Sequence, residues 1–247
     1  MSKIRVVELN DNNLEDVFKI CSHNKLDDPI HRQGISIKQQ WVLEFLEKYS
    51  SCTKIAYLND KPVAQVLFYP EESKPSIKNP RKQTLIIHCI YNPFDEARGK
   101  GVASALIRSL VNDCKIGHIH FKGKSCALIC TRPFDTHEDR SLHDFYASKG
   151  FKHANDEMFL EISSSYEPRK PAEFLSLDED KSRAIVFYNP VCEWSFPFAL
   201  RIKDLFCEIF PDLPVHIIDE WRSPEESFKR GNEQIIINAK PIRSFWT

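Results

Sequence analysis

Short apolar stretches with a two-residue alternation are interleaved along the chain with stretches whose apolar residues recur every three or four positions. That is the pattern of a mixed α/β protein. Lys3–Leu9 alternates and is rich in β-branched residues, which predicts an opening strand. Asn10–Asn13 offers a cap for a helix running to about Cys21, and a second helix is expected from Ser36, with Trp41, Val42, Phe45 and Leu46 on one face. Thr53–Leu58 and Val63–Tyr69 read as strands turned at Asn59-Asp60, with Lys61 and Pro62 completing the loop. Glu71–Lys82 is a Pro-containing excursion whose basic part, Lys74–Lys82, reads as a solvated loop. Thr84–Tyr91 is an apolar strand expected to be covered on both faces. The helix Gly101–Cys114, the buried strand Ser125–Thr131, a short helix over Asp139–Lys149 and one or two strands within Phe151–Ile162 follow.

Residues 166–182 contain Pro168, Pro171 and the charged run Asp178–Lys181, and read as a linker. Beyond it, strand Arg183–Tyr188, helix Pro197–Phe210, strand Val215–Asp219, helix Pro224–Arg230 and strand Ile235–Ala239 form a compact βαβαβ module. The pattern divides the chain into residues 1–165, a linker 166–182 and a small domain 183–247.

Composition narrows the function classes. The chain has 247 residues and a net charge of −1, so electrostatics favours neither nucleic acid nor a membrane as the main partner. No apolar run reaches the roughly 20 residues needed to span a bilayer. Met1–Ile4 is charged and leads into a strand-like segment, so a cytoplasmic location is expected. The eight cysteines are scattered, and no pair has zinc-ribbon spacing; buried reduced thiols and no metal are expected.

The chemistry concentrates in Thr84–Cys114. An apolar strand ends at Tyr91, and Arg98-Gly99-Lys100-Gly101-Val102-Ala103 then opens an amphipathic helix. The first N–H groups of a helix have no intrahelical partner and the helix dipole adds positive potential, so such a turn suits an anion. Glycines at Gly99 and Gly101 let a phosphate approach the backbone; an ordinary tight connection would look the same. The run resembles motif A of the GNAT acetyltransferases, Arg/Gln-x-x-Gly-x-Gly/Ala, through Arg98, Gly101 and Ala103. Asp144-Phe145-Tyr146-Ala147-Ser148-Lys149-Gly150-Phe151 is similar to the same family's Phe/Leu-Tyr-x-x-x-Gly-Phe segment.

The resemblance covers about residues 3–162 and implies a GNAT fold with acetyl-CoA as cosubstrate. It implies that the amides of Arg98–Ala103 hold the pyrophosphate and that strand Ile86–Tyr91, Ile90 included, lies along the pantetheine arm. The implied reaction is direct acetyl transfer to a primary amine, in a small molecule or a peptide. Tyr146 is the expected acid to the leaving thiolate, and a backbone N–H from Ile87–Ile90 the expected oxyanion donor. The central strand has no glutamate. His88 is the candidate base, with a packed histidine and a water-relayed base as alternatives, and Cys89 is not required by direct transfer.

Val186–Ser195 reads as a strand, a turn and Cys192-Glu193-Trp194-Ser195 at a helix start. This order resembles thioredoxin-like folds, and the two-part chain resembles the YoaP-like acetyltransferases. A thiol at a helix N-terminus tends toward the thiolate. Ser195 stands where a resolving cysteine would be, and Cys207 is about 22 Å further along the helix. Cys192 therefore reads either as part of a structural or substrate-recognition module, or as the thiol of a CoA-binding redox or thiol-ligand sensor.

Overall fold

A computed structural model describes residues 3–134 and 141–243. The chain forms two compact units, each drawn from separate stretches of sequence. The first comprises Met1–Leu26, Glu44–Ser73 and Asn79–Arg169, and the second Asp27–Leu43, Lys74–Lys78 and Lys170–Thr247.

The first unit is a mixed α/β layer structure built on a seven-stranded sheet. Its strands are β1 (Ile4–Glu8), β2 (Thr53–Leu58), β3 (Lys61–Pro70), β4 (Thr84–Tyr91), β5 (Leu128–Thr131), β6 (Lys152–Ala154) and β7 (Glu157–Glu161). Their order is β1-β2-β3-β4-β5-β7-β6, and only β4 and β5 run parallel. Asn59 and Asp60, at φ 49° and 64°, make a two-residue turn between β2 and β3, tighter than the four-residue loop expected. Two positive φ values match the right-handed twist of the flanking strands.

Helix α1 (Leu14–Cys21) packs toward β3, and α3 (Val102–Ile116) packs toward β1–β3. α3 buries Val102, Leu106, Ile107, Leu110 and Cys114 against Val66, Phe68, Leu85 and Ile87, one stripe of a 3.6-residue period. The short α4 (Leu142–Ala147) places Tyr146 in the same cluster. Positions 139 and 140, where a helix start was expected, lie outside the described residues.

Helix α2 (Pro29–Tyr49) starts one and a half to two turns before the expected Ser36. Pro29 suits a first helical position, and the Asp28 carboxylate accepts from the N–H groups of Ile30 and His31. Gly34, which would discourage a helix by propensity, permits close approach instead: a Cβ there would lie 2.0 Å from the Glu193 carbonyl oxygen.

The second unit has β8 (Ala184–Tyr188), β9 (Val215–Asp219), β10 (Ile235–Ile237) and β11 (Lys240–Pro241), ordered β11-β10-β8-β9. β8 and β9 are parallel, and β10 and β11 form an antiparallel hairpin against β8. Helix α5 (Ser195–Ile209) covers this sheet through Ala199, Ile202 and Phe206, and α6 (Pro224–Lys229) follows β9.

The basic excursion is not a solvated loop. In the first unit Arg81 bridges the buried Glu71 and Glu157 at 2.8 and 2.6 Å, while in the second unit Lys74 pairs with Glu220 at 3.1 Å. Buried carboxylates need cationic partners, and these basic residues supply them.

Candidate functional site

β4 carries the central feature of the first unit. Its parallel pairing with β5 runs from Thr84↔Leu128 to Ile87↔Thr131 and stops there, whereas β4 continues to Tyr91. The ladder therefore ends at Ile87, where β5 itself ends at Thr131, and β4 runs on past it. On the other side β3 stays paired up to Gln65↔Tyr91, with a register shift between Leu67↔Cys89 and Phe68↔Ile87 that leaves His88 as the extra residue of a bulge. A bulge re-aims side chains. Ile87 stays in the α3-facing core, while the His88 ring lies 6.1 Å from that of Tyr69, whose strand partner Ile86 packs on the opposite face. Cys89 and Ile90 are half-buried beyond the bulge.

Tyr146 comes to the same place from α4. It is 1% exposed, packs on Phe145 and Phe151, and has a side-chain hydrogen bond with Thr131, the last residue of β5. Burial pushes its phenol well above the ordinary tyrosine range. The Cys89 charge adds to this and the Thr131 hydroxyl works against it. The phenol is thus protonated at neutral pH, as a proton donor must be.

The loop after β4 returns through Asp95–Ala97 to Gly99 and Gly101, both left-handed at φ 70° and 80°, with Gly101 capping α3. A Cβ at either glycine would meet nothing within 4 Å. These glycines are required by backbone conformation, and the space above them is open. Arg98 is half-exposed and lies 3.3 Å from Asp95, and Lys100 is exposed. Val102 is buried and Ala103 half-buried in the first turn of α3, whose leading N–H groups have no partner within the helix. An open glycine turn and a buried, protonated phenol are thus tied to the two ends of one short loop-and-strand system.

A cavity of about 600 Å³ lies elsewhere in this unit, lined by Glu8, Asp113 and His118 among others. It adjoins the last turn of α3, so the helix, about 22 Å long, separates it from the glycine turn. Among the described residues no group of three or more His, Cys, Asp and Glu is arranged to hold a metal ion, and no helix is long and apolar enough to cross a membrane.

In the second unit Cys192 stands just before α5, and its sulfur accepts from the N–H groups of Trp194 and Ser195. A helix start favours the thiolate, yet here the thiol is pushed up. Burial is the main cause and the Glu193 carboxylate adds to it, against the Lys38 charge and the two N–H groups. Lys38 and Glu193 form an ion pair at 2.8 Å with both side chains 1% exposed, and the His31 and Trp194 rings meet at 4.2 Å, tilted by 55°. The Ser195 hydroxyl accepts from Asn189 N–H at 2.8 Å and so serves the turn. Sequence reasoning missed Lys38 and Glu193, which lie 155 positions apart. It also missed Thr131, whose hydroxyl closes an ordinary apolar strand.

No protein-family model and no curated protein matches the chain. Among solved structures it is similar to an N-acetyltransferase from Staphylococcus aureus Mu50, with 16% identity and a TM-score of 0.46 over 65% of this chain and 99% of that one. It is similar to the ribosomal-protein-S18-alanine N-acetyltransferase from Escherichia coli, with 14% identity and a TM-score of 0.43 over 68% and 99%. A GNAT family acetyltransferase from Brucella melitensis, in complex with acetyl-CoA, has 12% identity and a TM-score of 0.43 over 68% and 92%.

Proposed function

We propose that residues 3–162 form a GNAT-type acyltransferase that moves the acetyl group of acetyl-CoA directly to a primary amine of a small molecule or peptide. The observation that carries this reading is the end of the β4–β5 ladder at Ile87↔Thr131, with the protonated Tyr146 packed in the same cluster as Ile87. β4 runs on to Tyr91 beyond the end of its ladder with β5, which suits an extended arm laid along the strand. The open space over Gly99 and Gly101 suits a pyrophosphate at the start of α3.

Acetyl-CoA, when bound, supplies an activated acyl thioester. The chain's residues do the rest. The amides of Gly99–Ala103 hold the phosphates, with Arg98 and Lys100 adding positive charge. A backbone N–H from Ile87–Ile90 faces the carbonyl oxygen as negative charge develops there. Tyr146 delivers its proton to the departing sulfur. His88, whose ring lies beside Tyr69 on the sheet face away from α3, takes the amine proton directly or through water. Acid and base thus stand on different faces of β4, one for the leaving group and one for the nucleophile.

The second unit is a thioredoxin-like, YoaP-like module in this reading. Its parallel βαβ followed by an antiparallel hairpin supports that assignment. A sensor built on Cys192 is disfavoured by the raised pKa of the thiol.

The test incubates the full chain with acetyl-CoA and a panel of alkylamines, polyamines and peptides with free N-termini, and follows release of CoA thiol. Turnover is expected with at least one amine, and Tyr146→Phe should lower it about 10²–10⁴-fold while CoA affinity stays near wild type. Absence of CoA binding by calorimetry, or full activity in Tyr146→Phe, would overturn the assignment.

A further inference from the structure

A phenol has one proton and two lone pairs, so a tyrosine that protonates a leaving group must have its O–H aimed at that group. The phenol O–H lies in the ring plane in either of two orientations, and only the one that faces the leaving group makes a useful acid. Thr131 answers to this need by position. It ends β5, pairs with Ile87 of β4 on one side and Met158 of β7 on the other, and is 3% exposed. Ile129, two residues earlier on the same strand, packs in the cluster that also holds Ile87, Met158 and Tyr146. Side chains two apart share a sheet face, so the Thr131 hydroxyl points to the face occupied by Tyr146. It also sits at the last rung of the β4–β5 ladder.

We propose, on the acetyltransferase reading above, that Thr131 is a positioning residue. Its hydroxyl donates to the Tyr146 oxygen and thereby leaves the phenol's own proton to point toward β4 beyond the end of its ladder with β5. The sense of the bond follows from the role: the phenol's one proton is the one owed to sulfur, so its oxygen accepts from the Thr131 hydroxyl. Contact with Thr131 works against the upward push of burial on the Tyr146 phenol, which agrees with that sense. A hydroxyl placed among Ile129, Ile87 and Met158 is also costly to leave unpaired, so the phenol oxygen is its natural partner.

The proton account closes. The C–N bond forms and the C–S bond breaks, the electron pair leaves with sulfur, and sulfur takes the Tyr146 proton to become the CoA thiol. The phenolate, held by the Thr131 O–H, regains a proton from water. The proton shed by nitrogen goes to solvent through the base.

The same geometry acts on bound CoA, which gives a readout that needs no acceptor. A phenol proton aimed at sulfur favours the thiolate, so the bound thiol ionises at lower pH than it does without that donor. The experiment titrates CoA on the full chain by ultraviolet thiolate absorbance, with desulfo-CoA as the blank that cancels the protein's own cysteines. It compares wild type, Thr131→Val, Thr131→Ser and Tyr146→Phe. Thr131→Val should shift the thiol upward in the same direction as Tyr146→Phe, and Thr131→Ser should restore the wild-type curve. With the best amine of the panel, Thr131→Val should lose about tenfold in kcat, the worth of one hydrogen bond, with the KM for acetyl-CoA within about threefold. A wild-type titration in Thr131→Val beside a shifted Tyr146→Phe would overturn the positioning role alone. An unshifted Tyr146→Phe, or CoA that does not bind, would overturn the acid assignment and this inference with it.

Discussion

Gly101 offers a perturbation in which folding and cofactor binding separate. Its φ of 80° lies where an L-residue is strained, but a Cβ there meets no atom within 4 Å. Gly101→Ala should therefore cost only the backbone term, about 1–2 kcal/mol. For a chain of this size that lowers Tm by about 2–8 °C. Gly101→Asn should cost less, because asparagine tolerates the left-handed region. Both side chains, however, enter the space through which a phosphate would reach the amides of α3. One lost charge-assisted hydrogen bond is worth about 1.5–3 kcal/mol, or about tenfold to hundredfold in Kd. Gly101→Glu adds a carboxylate at the helix start, which the dipole welcomes in the free protein and which repels the pyrophosphate. The expected order of stability is therefore glycine, asparagine, then alanine and glutamate together. The expected order of CoA affinity places glutamate far below the rest. Thermal melts beside calorimetry with CoA measure the two orders on the same samples. A folded Gly101→Glu variant that keeps wild-type affinity would refute the phosphate cradle. Affinity losses that track the Tm losses would reduce the glycine to a matter of folding.

Removing Lys38 leaves the buried Glu193 carboxylate without its ion-pair partner, so Lys38→Met should destabilise the second unit by about 3–5 kcal/mol in denaturant unfolding, and Lys38→Met with Glu193→Leu should recover most of it. Cys192 should react with iodoacetamide more slowly than a free thiol near neutral pH, since burial and Glu193 hold it up; Glu193→Gln should speed the reaction and Lys38→Met slow it, read by peptide mass spectrometry against pH. Asp180 is pushed up by burial but held lower overall by Arg230 and Arg183, so its contribution is present above the ordinary value of 3.8 and is lost as pH falls through its depressed folded value. Asp180→Asn should therefore lower stability at neutral pH and flatten the acid limb of the Tm–pH curve, and an unchanged acid limb would show that this carboxylate is not the group lost.

The sheet was legible where apolar residues run unbroken, and β4 spans the expected Thr84–Tyr91. Its bulge was not. One extra residue at His88 decides which side chains face α3 and which face away, and that is a question of register between strands, on which the spacing within one strand is silent. The glycine turn announced itself because glycine is scarce in this chain and two fall before one helix. Tyr146 stood out only through its motif, while Thr131 looks like any residue closing a buried strand. The charges were the least legible. Arg81 and Lys74 sit in a run that reads as solvated because of its prolines, yet Arg81 neutralises the buried Glu71, ten residues back, together with Glu157, 76 residues further on. Lys38 sits between Ile37 and Gln39 in a helix whose polar pattern suggests water, but its partner is Glu193. The same pair changes the reading of Cys192. The local rule for a thiol at a helix start gives the wrong sign, because the carboxylate and the burial that oppose it come from the fold and not from the motif. A functional reading of the second unit therefore has to begin from the buried ion pair, and from what its neutral thiol could recognise without reacting.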